Sequence, residues 1–139
     1  MTATGEEQKA RRARILVVDD DPLVRRRVLR GLRDHGYSVE TAEDGLQALH
    51  HLQHGHFDVV LTDLQMPRLD GLALLREIRR RGYSQAVVIH TTHLDSPLEI
   101  ILRRAGASGV LMKGRPFRYL VRSVEEAYRS SRGPQACCA

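Results

Sequence analysis

The chain has 139 residues, of which 42% are hydrophobic and 28% are charged, a composition that suits one globular domain with one hydrophobic core. No apolar run approaches the roughly 20 residues that a membrane-spanning helix needs, and residues 1–14 lack the apolar stretch of a secretory signal, so we expect a cytoplasmic protein without membrane contact. The net charge of +5 comes mostly from arginines without interleaved aromatic residues, which favours a solvated surface over direct nucleic-acid binding by this domain.

Five strand-like apolar runs alternate with helical patterns between two polar ends. We predict a disordered N-terminal tail over residues 1–13, a folded domain over residues 14–132 and a disordered C-terminal tail over residues 133–139. The first, third and fourth runs are nearly continuous aliphatic residues, typical of strands buried on both faces, whereas the second alternates like an edge strand. The runs, in chain order, are residues 14–19, 37–42, 57–62, 86–91 and 108–112.

Helix signals follow each of these runs. The first helix begins after Asp21, a natural N-cap residue that a proline follows, and Asp44 can cap the second in the same way. Leucines at helical spacing mark the third helix. The fourth and fifth helices open at Pro97 and Pro116, and the spacing in the fourth predicts that Ile101 faces the core.

The strict alternation of strands and helices predicts a parallel sheet with right-handed crossovers and helices on both faces. The strand order 2-1-3-4-5 places the alternating second strand at an edge and the apolar first and third strands inside. This is the flavodoxin-like form of a doubly wound α/β fold, with five strands and five helices. Ligands of such sheets bind outside the carboxyl ends of the strands, so we expect the chemistry at that edge.

Carboxylates follow two neighbouring strands of the predicted sheet. Asp19 and Asp20 end the first strand, and Asp63 follows the third. Carboxylates gathered in this way repel one another and need a cation. Hard oxygen ligands favour Mg²⁺, which takes one or two carboxylates, several waters and a phosphate oxygen. The sequence therefore predicts a magnesium site at this edge.

The same edge carries groups that suit phosphoryl transfer. Lys113, directly after the fifth strand, supplies a compact positive charge, and Thr91, at the end of the fourth, supplies a hydroxyl donor. The carboxylate of Asp63 can act as a nucleophile and form an aspartyl phosphate. In-line transfer then needs mainly positioning and charge neutralisation.

Four segments resemble the receiver domains of two-component response regulators, the fold class of the chemotaxis receivers. They stand in the order and at the spacing of that family, and the resemblance covers roughly residues 14–132. It implies a signalling domain that takes a phosphoryl group from a phosphohistidine on a sensor histidine kinase or phosphotransfer protein, as in a phosphorelay, and then binds an output partner. The segments are ILVVDDDP (15–22), DVVLTDLQMPRLDG (58–71), VVIHTT (87–92) and AGASGVLMK (105–113).

The resemblance implies a role for each matching residue. Asp63 matches the phosphoacceptor. Asp19 and Asp20 match the acidic pair, with Asp20 the direct Mg²⁺ ligand. Gln65 matches the position whose backbone carbonyl completes the metal site.

The resemblance implies roles for two more residues, and the sequence departs from the usual pattern of the family at three positions. Thr91 matches the switch hydroxyl and Lys113 the active-site lysine. Gly114 replaces the usual proline after that lysine, a form that resembles receivers preceding a helix-turn-helix domain. Val110 stands at the aromatic switch position, so a Tyr or Phe rotamer switch cannot operate there. His93 lies two residues after Thr91, where it is positioned to tune hydrolysis of the acyl phosphate.

We expect a signalling domain rather than an enzyme that acts on an external substrate. A phosphatase of this chemistry would want a second aspartate two residues after its nucleophile, and Gln65 stands there, so the domain would assist only its own phosphorylation and dephosphorylation. A stand-alone receiver is favoured because about ten residues follow the fifth predicted helix. The receiver part of a DNA-binding transcriptional regulator and a degenerate, phosphate-independent receiver remain alternatives, and a phosphorylation-dependent homodimer is open. The fourth and fifth helices are the expected partner surface.

Overall fold

A computed structural model of the protein describes residues 13–137, with side chains described as far as Ser131. Five parallel strands form one sheet in the order β2-β1-β3-β4-β5, which confirms the predicted fold and the edge position of β2. The strands are β1 (Arg14–Val18), β2 (Ser38–Ala42), β3 (Val59–Thr62), β4 (Ala86–Thr91) and β5 (Gly109–Met112).

Five helices cover the two faces of the sheet. Aspartates cap the first four helices: the carboxylates of Asp21, Asp44, Asp70 and Asp95 each accept a hydrogen bond from a backbone N–H of the first turn. In the fourth helix the cap is thus Asp95, one residue before the helix begins. The helices are α1 (Pro22–Asp34), α2 (Gly45–His54), α3 (Gly71–Arg80), α4 (Ser96–Arg104) and α5 (Phe117–Cys137).

The core has two layers, one on each face of the sheet. Alternate residues of β1 divide between them: Ile15 and Val17 belong to the layer under α1 and α5, and Leu16 and Val18 to the layer under α2, α3 and α4. All four side chains are buried, which explains why the inner strands are continuously aliphatic. Full burial of each such side chain stabilises the fold by about 1.5–3 kcal/mol.

Backbone pairing brings the carboxyl ends of the strands together at one edge. Asp63 N–H donates to the Val18 carbonyl at 2.8 Å, and Asp19 N–H donates to the Ala42 carbonyl at 3.2 Å. On the other side, Lys113 N–H donates to the Thr91 carbonyl at 2.6 Å. The residues that follow β1, β3, β4 and β5 therefore share one rim of the sheet.

The described region begins at residue 13 and continues beyond residue 132, the predicted end of the folded domain. Ala13 is buried and its carbonyl accepts from Ser38 N–H, while α5 continues to Cys137, past residue 132. Residues 1–12 and 138–139 of the two predicted tails lie outside the described residues, so the division of the chain stays a prediction. Within the described residues, no helix is both long enough and apolar enough to cross a membrane.

Candidate functional site

Three carboxylates converge at the carboxyl edge of the sheet. Asp19 and Asp20 follow β1, and Asp63 follows β3, which pairs directly with β1. Each of the three offers a carboxylate oxygen that lies within 4.8 Å of the other two. Asp19 and Asp63 are buried, with 3% and 9% of their surface exposed, whereas Asp20 is open to solvent. The predicted acidic group is thus assembled in space, with one exposed side.

Lys113 is the counter-charge of this group. Its Nζ lies 2.8 Å from Oδ2 of Asp19, to which it donates a hydrogen bond, and 3.2 Å from Oδ2 of Asp63. The lysine follows β5, so its side chain crosses the end of β4 to reach the carboxylates of β1 and β3. Lys113 therefore joins three strand ends, and its contact with Asp19 links residues that are 94 positions apart in the sequence.

The negative charge of the site exceeds its positive charge. Burial, followed by repulsion from Asp19, raises the pKa of Asp63, and attraction to Lys113 only partly offsets this. Burial works against the charge of Lys113, but its hydrogen bond with Asp19 and the attraction of both aspartates leave the lysine pKa raised. Three carboxylates face one ammonium group, so a divalent cation would relieve the remaining repulsion.

The donor set fits Mg²⁺. Its side-chain ligands are hard carboxylate oxygens from Asp19, Asp20 and Asp63, without histidine or cysteine. Gln65 is exposed and lies two residues after Asp63, in the loop that leads to α3, and the role of its backbone carbonyl as a ligand stays a prediction. Within the described residues, the acidic group is the only cluster of this kind with three or more metal-binding side chains.

Among the described contacts, Thr91, His93 and Val110 form none with the three carboxylates. Thr91 is buried, and its hydroxyl has only long contacts with the backbone of His93, to O at 3.4 Å and from N at 3.5 Å. His93 is exposed. Val110 pairs with Ile89 in the sheet and packs in the layer under α4, away from the carboxylates.

A close backbone approach holds the loop that follows Asp63. Leu64 N–H donates to Oδ1 of Asp63 at 2.7 Å, and Gly71 N–H donates to the Leu64 carbonyl at 2.7 Å. A Cβ at Gly71 would lie 2.3 Å from the carbonyl oxygen of Asp63, so only glycine fits there. The loop therefore folds back onto the residue that carries the candidate nucleophile.

A salt bridge that sequence analysis missed anchors the same loop. Arg68, in the left-handed region at φ 67°, donates from Nε to Oδ2 of Asp44 at 2.8 Å and pairs with the same oxygen through a second guanidinium nitrogen. Asp44 is buried and caps α2 through Gln47 N–H. The sequence shows Asp44 as a cap but carries no signal for a contact 24 residues away.

After Lys113 the chain turns at Gly114, which has φ 91° and no atom near the position of a Cβ. The segment contains no cis peptide bond, and neither does any other part of the described region. Glycine thus provides the turn at the position where the resemblance leads one to look for proline.

The chain is similar in sequence and in fold to known proteins. The profile of the response regulator receiver domain family matches residues 15–125. The chain is 41% identical over 100 residues to the response regulator MprA of Mycobacterium sp. (strain KMS). The match covers 72% of this chain but 44% of the relative, so the chain spans less than half the length of that protein.

Among solved structures, the chemotaxis protein CheY4 of Vibrio cholerae has a TM-score of 0.79 and 32% identity, covering 83% of this chain and 98% of CheY4. The receiver domain of the Francisella response regulator 1452 has a TM-score of 0.82 and 26% identity, covering 86% and 99%. The chain belongs to the family of response regulator receiver domains.

Proposed function

We propose that Asp63 accepts a phosphoryl group from the phosphohistidine of a sensor histidine kinase or phosphotransfer protein, and that this modification switches a partner-binding surface. The observation that carries the proposal is the shared contact of Lys113 with Asp19 and Asp63 beside an exposed third carboxylate. In family members of this kind such a group surrounds the phosphorylated aspartate. Asp19, Asp20, Asp63 and the Gln65 carbonyl would hold Mg²⁺, which when bound supplies positive charge to the phosphoryl oxygens.

The transfer forms an O–P bond to a carboxylate oxygen of Asp63 and breaks the N–P bond of the donor histidine, which leaves with the electron pair. Lys113 lies close enough to Asp63 to neutralise a phosphoryl oxygen there. The hydroxyl of Thr91 has only long local contacts, so little is lost when it turns to donate to another phosphoryl oxygen. The protein therefore contributes positioning and charge rather than an external substrate site.

The output surface that we propose is formed by α4 and α5. Ile100 and Ile101 on α4 are 51% and 46% exposed, and Tyr119 on α5 is 37% exposed. These are three of the five exposed large hydrophobic residues in the described region, and they lie on the two helices that flank β5. Exposed apolar groups of this kind suit contact with a protein partner, including a second phosphorylated copy of this chain.

Two forms of this function are distinguished by what accompanies the domain. As a stand-alone receiver it would act by protein contact. As the receiver part of a longer DNA-binding regulator, it would control an attached effector domain. The greater length of the relative supports this second form, because the chain matches only 44% of it. The mass of the protein recovered from its native source separates the two.

Phosphorylation by phosphoramidate, whose N–P bond resembles that of phosphohistidine, tests the proposed chemistry. We expect the wild type to gain one phosphoryl group in Mg²⁺ and none in EDTA, and Lys113→Met to react about a hundredfold more slowly because one charge-stabilising group is lost. The exposed Arg104→Met variant, which also loses one positive charge, serves as the control. Reaction that is equally fast in EDTA would overturn the metal-assisted mechanism. A wild type that gains no phosphoryl group in Mg²⁺ would favour the degenerate, phosphate-independent receiver.

A further inference from the structure

A cavity of about 350 Å³ lies between α1 and the beginning of α5. Its volume is within the range, roughly 300–1,000 Å³, of pockets that bind small molecules. None of the carboxylates of the acidic group lines it. The lining residues are Arg27, Arg30, Gly31, Asp34, Arg115 and Phe117.

One wall of the cavity is a single face of α1. Arg27 lies three and four residues before Arg30 and Gly31, and Asp34 lies four and three residues after them, so the four residues share one face of the helix. The opposite wall comes from the segment after β5, where Phe117 packs against Gly31. A Cβ at Gly31 would lie 2.2 Å from Cζ of the Phe117 ring, so the absence of a side chain brings the ring onto α1.

The charge of the cavity is strongly positive. Arg27, Arg30 and Arg115 are exposed, and in the described part of the chain their guanidinium groups form neither a hydrogen bond nor an ion pair with the protein. By contrast, the neighbouring Arg33 on α1 donates to the Val39 carbonyl at 3.1 Å. Asp34 is the only carboxylate of the lining.

Arg27 also contributes to the electrostatic environment of the interior. Burial is the main cause that lowers the pKa of His90 on β4 to about 4, and Lys113 and then Arg27 add smaller contributions in the same direction. An anion in the cavity would remove repulsion among the three guanidinium groups. Phosphate suits them because the planar guanidinium offers two parallel N–H donors to its oxygens.

We propose that this cavity binds a phosphorylated small molecule with a planar ring, the chemistry of a mononucleotide. The phosphate groups contact Arg27, Arg30 and Arg115, the ring lies against Phe117, and Asp34 accepts a hydrogen bond from a hydroxyl or amino group of the ligand. The site is separate from the acidic group, so the inference stands or falls independently of phosphorylation at Asp63.

Calorimetric titration of the 139-residue chain with ADP tests this assignment. EDTA is included so that metal binding at the acidic group takes no part in the signal. We expect saturable binding with one ADP per chain, weaker binding of pyrophosphate, which lacks the ring, and weaker binding of adenosine, which lacks the phosphates.

Substitutions in the cavity locate the binding. Arg30→Gln and Arg115→Gln should each weaken ADP binding about tenfold, because each removes a charge-assisted contact. Arg104→Gln, an exposed arginine on α4 outside the cavity, loses the same charge and should leave the affinity unchanged. Phe117→Leu should weaken ADP binding but not pyrophosphate binding, with circular dichroism to verify that the variant is folded.

Three results would overturn the assignment. The first is the absence of saturable binding of ADP. The second is an equal loss of affinity in Arg104→Gln, which would show attraction to the general positive charge of the surface. The third is binding of a single-stranded oligonucleotide more tightly than ADP with the same dependence on Arg30 and Arg115, which would assign the surface to nucleic acid.

Discussion

Lys113 and Asp63 show, at the scale of single residues, how the fold positions the proposed nucleophile. The lysine pairs with Asp19 as well as Asp63, and the pKa of Asp63 remains raised by its burial and by Asp19. The carboxylate is thus held in place by one shared cation, without being fully compensated. A group that bears this repulsion gains from any additional positive charge brought to the site.

His93 is predicted to affect the lifetime of the phosphoryl group on Asp63. It is exposed and lies two residues after Thr91, so we expect its imidazole to be able to reach a water that attacks the phosphoryl group. We expect His93→Ala to lengthen the lifetime, by less than the roughly hundredfold that a fully committed general base contributes. The measurement is the loss of phosphoryl mass with time, with the exposed His50→Ala as control. An unchanged lifetime would remove His93 from the chemistry.

His90 gives a prediction for the pH dependence of stability. Burial, Lys113 and Arg27 lower its pKa in the fold from 6.5 to about 4. Between these values the unfolded chain binds the proton and the folded chain does not, so the free energy of unfolding rises as pH rises from about 4 to 6.5. Because the pKa of His90 is lowered, the free energy of unfolding rises by about 3 kcal/mol in total across this pH range.

Urea unfolding of the wild type and of His90→Gln, compared across that pH range, isolates this contribution. We expect a steeper rise in stability with pH in the wild type, because the glutamine does not titrate. Curves that stay parallel would mean that His90 is protonated equally in the folded and unfolded chains.

The residues of the rim could be predicted because each directly follows a strand. The sequence places Asp19, Asp63 and Lys113 at strand ends, and the parallel order then brings them together. The Arg68–Asp44 pair could not be predicted in this way, since it joins two loops through a left-handed arginine. Such a contact depends on side-chain geometry rather than on strand order.

At the scale of elements, the Arg68–Asp44 pair ties the loop after β3 to the start of α2. The buried carboxylate of Asp44 accepts from Gln47 N–H and from Arg68, and these contacts, led by the one with Gln47, lower its pKa. The beginning of α2 and the loop that carries Gln65 are therefore fixed to each other. Movement of one should be transmitted to the other.

Arg68→Met should destabilise the protein by about 1–2 kcal/mol. The change leaves the buried carboxylate of Asp44 without its cation, although the exposure of the arginine limits the loss. Urea unfolding at neutral pH measures the change, with Arg76→Met, an exposed arginine of α3, as the matched control. An equal effect of the two substitutions would show that Arg68 acts only as a surface charge.

The apolar spacing predicted which segments form helices, but it did not predict every buried face correctly. The spacing in α4 predicts that Ile101 faces the core, yet it is 46% exposed while Leu102 is fully buried. This prediction was wrong because α4 is short and only a narrow stripe of it meets the sheet. Leu98 is partly buried against the core, whereas Ile100 and Ile101 stay on the surface, where they become part of the proposed partner site.

At the scale of the whole molecule, the arginine-lined cavity and the exposed isoleucines lie on helices that pack on opposite faces of the sheet, while α5 contributes to both proposed surfaces. The arginine-lined cavity lies beside α1 and α5, whereas the exposed isoleucines lie on α4. The order of the strands could be predicted from the alternation of elements and the weak second strand, and the structure confirms it. The cavity could not, because it depends on the contact of Phe117 with Gly31.

Binding of Mg²⁺ at the acidic group should stabilise the whole fold. A ligand that binds only the folded state, at a hundred times its dissociation constant, adds about 2.7 kcal/mol to the free energy of unfolding. We expect the wild type to melt at a higher temperature in Mg²⁺ than in EDTA, and Asp63→Asn to show a smaller difference. Equal shifts in both proteins would place the ion away from Asp63.

Asp63 as the phosphorylated residue is tested most directly by peptide mapping. The protein is phosphorylated with acetyl phosphate and Mg²⁺, the acyl phosphate is trapped by reduction, and the modified residue is identified by mass spectrometry, with Asp63→Asn treated in parallel. We predict a single modified position, residue 63, in the wild type and none in the variant. Modification of another residue, or equal modification of Asp63→Asn, would contradict the assignment of Asp63.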